Sequence, residues 1–97
     1  MRFEIILAPE AIEDRKGLRA LDRAAIDDAM EKHLRHAPAK VSKSRIKRLR
    51  GLRRPQYRLR VDDLRVFYDV VGHEVQVLGI VLKADAETWL KRIGEES

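Results

Sequence analysis

The chain of 97 residues contains no cysteine and only three prolines. The absence of cysteine excludes disulfides, cysteine-based zinc sites and a cysteine nucleophile, and it fits a reducing compartment. Long apolar runs are also absent. The stretch FEIILA near the N-terminus is too short for the core of a signal peptide or for a membrane span. We therefore expect a cytoplasmic protein without a membrane association.

Histidine is scarce as well, with His33, His36 and His73 as its only instances. His33 and His36 lie three residues apart on a predicted helix, a spacing that suits a pair of metal ligands. No third ligand is in view, so we expect both to be helix-surface residues and predict no metal site. His73 is expected in a turn.

Acidic residues are absent from Lys40 to Arg60, which we call the basic run: KVSKSRIKRLRGLRRPQYRLR. The basic run holds ten of the 21 Lys and Arg residues, and the other 11 are outnumbered by all 16 Asp and Glu. The chain is therefore a strongly cationic segment on an acidic body. Such a concentrated charge calls for a polyanionic partner, and nucleic acid is the first candidate.

The apolar pattern predicts the element order β-α-α-β-β-β-α. Arg2 to Leu7 is expected as a strand, followed by a helix from Pro9 to Gly17. Asp22 is a suitable N-cap for a second helix that runs to about His36. Its apolar stripe consists of Ile26, Ala29, Met30, His33 and Leu34.

The segment from Lys40 to Pro55 lacks a clean period and is expected as a loop, with a helical turn formed by Ile46, Leu49 and Leu52. Alternating apolar residues then predict three strands: Gln56 to Val61, Leu64 to Val71 and Glu74 to Lys83. Turns at Asp62-Asp63 and Gly72-His73 connect them. A closing helix, Ala86 to Ile93, is expected with Asp85 as its cap and Gly94 as its end.

These elements predict one α+β domain over residues 1–97. A small antiparallel sheet carries the two N-terminal helices on one face, and a short C-terminal helix follows. Strand alternation places Arg58 and Arg60 on the sheet face away from the helices, together with Arg65. Lys83 ends the last strand and completes a predicted cationic cluster. Arginines in such a cluster can hold a phosphate and offset the charge that develops in phosphoryl transfer. The alternative is an ordinary solvated face that pairs with acidic residues.

Several segments together resemble the RelE/ParE superfamily of toxins from bacterial toxin–antitoxin modules. PEAIEDRKGL is similar to the family's first helix, and RIKRLRG to its basic loop. YRLRVDDLRVFYDV is similar to its central hairpin, VQVLGIVLK to its last strand and AETWLKR to its closing helix. The resemblance covers nearly the whole chain.

The resemblance implies an endonuclease that cleaves mRNA on the ribosome without a metal or another cofactor. In the RelE branch the 2′-hydroxyl attacks the adjacent phosphate and leaves a cyclic phosphate and a 5′-hydroxyl. By position, Arg65 matches the arginine that stabilises the transition state. Arg58 and Arg60 match residues that activate the hydroxyl and hold the phosphate, and Lys83 matches the residue that assists the leaving group.

Two departures from the family pattern bear on this chemistry. The tyrosine that many relatives carry in the closing helix is replaced here by Glu87 or Trp89, depending on the alignment. Asp62 and Leu64 stand where glycine and tyrosine are common. The alternatives are a ParE-type toxin that poisons DNA gyrase, and a degenerate toxin that only binds RNA and antitoxin.

The remaining basic residues are expected to contact the RNA backbone as a diffuse patch that does not distinguish sequences. Trp89 is left open between a packing anchor and a platform on which a base stacks. The predicted partners are a cognate antitoxin, the ribosome and mRNA. The predicted RNA-binding residues are Lys43, Arg45, Lys47, Arg48, Arg50, Arg53, Arg54 and Trp89.

Overall fold

The computed structural model of the protein describes residues 2–96. Its main strands are β1 (Glu4–Leu7), β4 (Tyr57–Val61), β5 (Leu64–Val71) and β6 (Glu74–Leu82). Three short strands accompany them: β2 (Ile46–Arg48), β3 (Leu52–Arg54) and β7 (Glu95–Glu96). The helices are α1 (Pro9–Lys16), α2 (Ala20–Leu34) and α3 (Ala86–Ile93), and a 3₁₀ turn, Lys83–Asp85, precedes α3.

Five strands form the central sheet in the order β1-β6-β5-β4-β2, while β3 and β7 pair separately. All pairs in the central sheet are antiparallel except that β1 runs parallel to β6. The parallel edge arises because α1 and α2 carry the chain away from β1 before the hairpins begin. The predicted α+β class, with two N-terminal helices and a C-terminal one, is confirmed.

The basic run contains two strands where we expected a loop with a helical turn. Ile46 of β2 pairs with Leu59 of β4 and is only 3% exposed, whereas the next residue, Lys47, is exposed. The ladder with β4 satisfies the backbone of β2, although its three residues show no alternation of burial because Arg48 is exposed as well. The prediction of a helical turn over Ile46, Leu49 and Leu52 was therefore wrong.

Of the two predicted N-caps, Asp85 occupies that position in the structure and Asp22 does not. The helix α2 begins at Ala20 with Arg19 as its N-cap, so Asp22 lies in the first turn, where it accepts a hydrogen bond from the Nε of Arg19 at 3.2 Å. Asp85 directly precedes α3 but forms no capping hydrogen bond through its side chain. A carboxylate in the first turn still interacts favourably with the helix dipole.

The main core lies between the central sheet and α2. The predicted stripe of α2 supplies Ile26, Ala29, Met30 and Leu34 to this core. The rings of Tyr57 and Tyr68 stack within it with centroids 5.5 Å apart. The Tyr68 hydroxyl donates a hydrogen bond to the Pro38 carbonyl at 2.6 Å. Burial, aided by Tyr57, raises the pKa of the Tyr68 hydroxyl well above its usual value.

The opposite face of the sheet is covered at one end by α3. Trp89 stacks on Phe67 with ring centroids 4.9 Å apart, and its Nε1 donates to Glu10 of α1 at 3.0 Å. Gly79 of β6 makes this approach possible, because a Cβ there would lie 2.4 Å from the Cζ2 of Trp89. The uncovered remainder of the face contains the predicted cationic cluster. No helix within residues 2–96 is both long and apolar enough to cross a membrane.

Candidate nucleic-acid interface

The hairpin of β4 and β5 brings three arginines together on the side of the sheet away from α2, which we call the arginine face: Arg58, Arg60 and Arg65. Arg60 is the direct cross-strand partner of Arg65. Arg58 pairs with Phe67, two residues further along β5, so its side chain shares the same side. Like charges directly opposite each other destabilise a sheet. The repulsion between Arg60 and Arg65 therefore lowers the stability of the sheet, and a bound anion would reduce that repulsion.

Arg58 is the most constrained member of the arginine face. Within residues 2–96, its Nε is the one buried side-chain polar atom that has no hydrogen-bond partner. Burial, and then the charges of Arg65 and Arg60, lower the pKa of its guanidinium. An unpaired buried donor next to two like charges is the electrostatic signature of an anion site.

Arg65 is almost fully buried, with 6% of its surface exposed. Its Nη1 donates to the carbonyls of Asp62 and Leu64, both at 2.9 Å. Burial, and then Arg60, lower the pKa of Arg65, while Asp63 opposes this shift. Asp62 has a positive φ of 52°, a conformation that Asp adopts more readily than most residues. Arg65 thus stabilises the hairpin turn through these hydrogen bonds and also contributes a positive charge to the arginine face.

Arg60 is the exposed member, and it opens into a cleft of about 290 Å³ that is also lined by Ser44, Arg45 and Asp62. Arg45 is held beside it by the backbone. The Arg60 amide donates to the Arg45 carbonyl at 2.9 Å, and the Arg45 Nη1 approaches the Arg60 carbonyl at 3.4 Å. Two guanidinium groups therefore border one cleft.

Lys83 stands apart from the three arginines. It is exposed and begins the 3₁₀ turn, and its amide donates to the Asp63 carbonyl at 2.7 Å. It lines a cleft of about 450 Å³ with Asp63, Leu82 and Ala84. Because β6 ends at Leu82, strand alternation no longer determines the direction of the Lys83 side chain. Its position by the hairpin turn is fixed, but it does not perturb the pKa of Arg58 or Arg65.

The other predicted RNA-binding residues separate into two groups. Lys47 pairs with Arg58 across β2 and β4, so it extends the arginine face. Arg48 lies with its Cζ 5.0 Å from the centre of the Tyr57 ring, a cation–π contact. Lys43 and Arg50 are exposed in loops. Arg45 joins the cleft at Arg60.

Arg53 and Arg54 are paired with carboxylates within the chain, although both side chains stay largely exposed. Arg53 pairs with Glu95 of β7 at 2.6 Å. The Arg54 Nε donates to Asp69 at 2.7 Å, and the Gln56 amide donates to the other oxygen of that buried carboxylate at 2.8 Å. The sequence prediction missed Asp69 because strand alternation placed it on a face that we expected to be exposed.

Comparison with known proteins identifies the family. The model of the ParE toxin, described as a toxin of the type II toxin–antitoxin system parDE, matches residues 5–87. This chain belongs to that family and is a toxin of the RelE/ParE superfamily. No curated protein matches the chain.

Solved structures support the fold of the toxin. The free E. coli toxin RelE, in a variant with two arginines replaced by alanine, is 19% identical with a TM-score of 0.70, and the match covers 96% of this chain and 99% of that one. The RelE–RelB complex of Pyrococcus horikoshii contains a chain that is 19% identical with a TM-score of 0.70. That match covers 86% of this chain and 97% of the other. The YoeB dimer of Staphylococcus aureus is 18% identical with a TM-score of 0.57, and the match covers 81% of this chain and 94% of that one. At these identities the likeness establishes the fold alone.

Trp89 of the toxin is a packing anchor and not an exposed platform. It is 5% exposed, one ring face lies on Phe67, and its N–H is occupied by Glu10. Of the two alternatives left open for Trp89, the structure favours the packing anchor, and the prediction of Trp89 as an RNA-binding residue loses its support. Glu87, the other candidate for the tyrosine position, is exposed in the first turn of α3.

His33 and His36 do not form part of a metal-binding cluster. Residues 2–96 contain no group of three or more His, Asp or Glu side chains arranged to hold a metal ion. His33 is partly buried, and burial, followed by the charges of Arg45 and Lys32, lowers its pKa. His33 therefore faces cationic neighbours, which repel a cation.

Proposed function

We propose that this toxin is an endoribonuclease that cleaves mRNA on the ribosome and so inhibits translation. The observation that carries the proposal is the arginine face, where Arg58 presents an unpaired buried Nε beside Arg60 and Arg65. A phosphodiester bound at the arginine face neutralises the repulsion among the three guanidinium groups. The pentavalent transition state has more charge on its oxygens than the ground state, so the same arginines stabilise it preferentially.

The proposed reaction needs no metal ion. The 2′-hydroxyl loses its proton and forms a bond to phosphorus, the bond from phosphorus to the 5′-oxygen breaks, and that oxygen takes up a proton. The products are a 2′,3′-cyclic phosphate and a 5′-hydroxyl. Each proton transfer requires a positioned group whose pKa suits the task.

The arginine face supplies the roles as follows. Arg60 and Arg65 hold the phosphate oxygens and stabilise their developing charge. The family resemblance assigns Arg58 to activation of the attacking hydroxyl. Lys83, beside the hairpin turn, protonates the leaving oxygen.

Arg60→Ala tests the proposal in a translation reaction with purified toxin. Arg60 is exposed, so its replacement should leave the fold intact while cleavage falls at least 100-fold. Arg2→Ala is the matched control, because it removes the same charge from an exposed residue outside the basic run. Equal cleavage by the wild type and Arg60→Ala would show that the active site lies elsewhere.

A second candidate function is poisoning of DNA gyrase, and the match to the ParE toxin model favours it. The burial of Trp89 adds support, since the nuclease then lacks an aromatic platform for the base. An assay of gyrase supercoiling separates the two functions. Inhibition of supercoiling without any mRNA cleavage would establish the ParE-type activity.

We also infer that the partner of this toxin is a cognate antitoxin protein. The family acts in two-component modules, and the structural relative from P. horikoshii is a RelE–RelB complex. An acidic segment of the antitoxin would place carboxylates where the phosphates bind. Co-purification with the product of a neighbouring small reading frame tests this, and competition with RNA should weaken for Arg60→Ala.

A further inference from the structure

A second cationic pocket lies between the end of α2 and the start of the basic run, and it shares Arg45 with the cleft at Arg60. We call it the His33 pocket, and its volume is about 350 Å³. Three of its side chains are cationic at neutral pH, and none is acidic. It is lined by Lys32, His33, Ala37, Lys40, Ser42, Arg45 and Ile46.

The polar groups of the His33 pocket are suited to an anion. The Ser42 Oγ accepts hydrogen bonds from the amides of Arg45 and Ile46 at 3.0 and 3.2 Å, which fixes the rim of the pocket. Those bonds use the lone pairs of Ser42 and leave its hydroxyl hydrogen for a ligand. Arg45 and Lys40 add charged donors, and a neutral imidazole adds an N–H.

Arg45 connects the His33 pocket to the arginine face. It lines the pocket and also the cleft at Arg60, and its backbone is bonded to that of Arg60. An RNA strand whose phosphate lies at Arg60 can therefore contact Arg45 and continue to the His33 pocket. A chain of regularly spaced phosphates matches two adjoining cationic sites better than an isolated carboxylate does.

We propose that the His33 pocket binds a phosphate of the same RNA strand that contacts Arg60. This inference rests on the proposed function and specifies how the RNA is held. Backbone contacts of this kind determine the position and direction of a strand without reading its sequence. The pocket therefore sets which bond of a bound strand reaches Arg58.

The imidazole of His33 provides a direct reporter of occupancy. The groups that face it are Lys32 and Asp28 from α2 and Arg45 from the basic run, with the cations dominating. A bound phosphate opposes these cations and favours the imidazolium form, so RNA binding should raise the pKa of His33. An NMR titration of His33 with and without RNA measures this shift, with the exposed turn residue His73 as an internal reference.

The decisive variant is Lys32→Gln combined with Lys40→Gln, and the matched control is Lys16→Gln combined with Lys91→Gln. All four lysines are exposed, so both double variants should fold, and thermal melts verify this. The probe is a 2′-O-methyl RNA oligonucleotide, which cannot be cleaved because it has no free 2′-hydroxyl. Fluorescence anisotropy gives its Kd at several salt concentrations.

Losing one phosphate contact should make the dependence of log Kd on log salt less steep by about 0.7, with binding roughly fivefold weaker at 0.1 M salt. The control should match the wild type. An unchanged slope, or an unchanged His33 pKa on RNA binding, would overturn the proposal. So would weaker binding of polyglutamate with unaffected RNA binding, which would assign the pocket to a partner protein. Because the probe is not cleaved, these outcomes are independent of whether the toxin is a nuclease.

Discussion

Replacement of Arg58 by methionine should make the toxin more stable and inactive. Arg58 carries an unpaired buried Nε and lies beside two like charges. An unsatisfied buried donor costs about 1–3 kcal/mol. Methionine retains most of the aliphatic stem and removes both the donor and the charge. We expect a gain near the lower bound, about 1 kcal/mol, because the Arg58 side chain is only partly buried.

For a domain of this size, about 1 kcal/mol corresponds to a rise in Tm of about 4–8 °C. Thermal and urea unfolding of wild type and Arg58→Met measure the difference. Arg50→Met is the control, because it removes the same net charge from an exposed loop, and its Tm should stay within about 2 °C of the wild type. A Tm of Arg58→Met at or below the wild-type value would refute the claim that the arginine face is held at a cost.

Three further predictions concern the packing and the ion pairs. Gly79→Ala should lower the free energy of unfolding by about 1–3 kcal/mol, because the new Cβ would lie 2.4 Å from Trp89. Most of this loss should vanish when Trp89 is also replaced by alanine. An equal loss in that background would contradict the contact. Asp69→Asn should lower the free energy of unfolding in urea by about 2 kcal/mol, because a buried charged acceptor is removed. An unchanged free energy of unfolding would show that this carboxylate is dispensable. The hydrogen bond from Arg15 lowers the pKa of Asp27 below 3.8, so the ion pair stabilises the fold fully above that pH, and this stabilisation is lost as the pH falls through the pKa of the folded state. Asp27→Asn should therefore flatten the fall in unfolding free energy below about pH 4. The same pH dependence in wild type and variant would argue against the pair.

The strands and helices were predictable wherever a clean period repeats over several residues. The stripe of α2 and the alternation in β4 and β5 define which residues face the core, whereas a register shift opposite Phe67 and Tyr68 changes the phase of β6. The short strands β2 and β3 were missed because three residues are too few to display a period. Their formation depends on partners distant in sequence, Leu59 for Ile46 and Glu96 for Leu52.

The side of the sheet that carries Arg58, Arg60 and Arg65 also followed from alternation alone. The degree of burial did not, because it depends on where α3 lies. That helix covers Phe67 and draws Trp89 onto Gly79, which no local pattern reveals. The glycine within the most apolar strand was the available signal, since glycine there often marks a close approach.

The ion pairs of Arg53 and Arg54 were not predictable for a similar reason. Each is paired with a carboxylate distant in the sequence, Glu95 or Asp69. A charge count over the basic run treats all ten cations alike. Only the tertiary structure distinguishes cations that stabilise the fold from those left for a ligand.

The central claim is that the arginine face cleaves RNA through attack by the 2′-hydroxyl. Its most direct test is an mRNA whose mapped cut site carries a single 2′-deoxyribose, presented to the toxin on translating ribosomes. The all-ribose mRNA should yield a fragment with a 5′-hydroxyl, and the deoxy-substituted mRNA should stay intact at that bond. Equal cleavage of both, or a 5′-phosphate on the fragment, would contradict it.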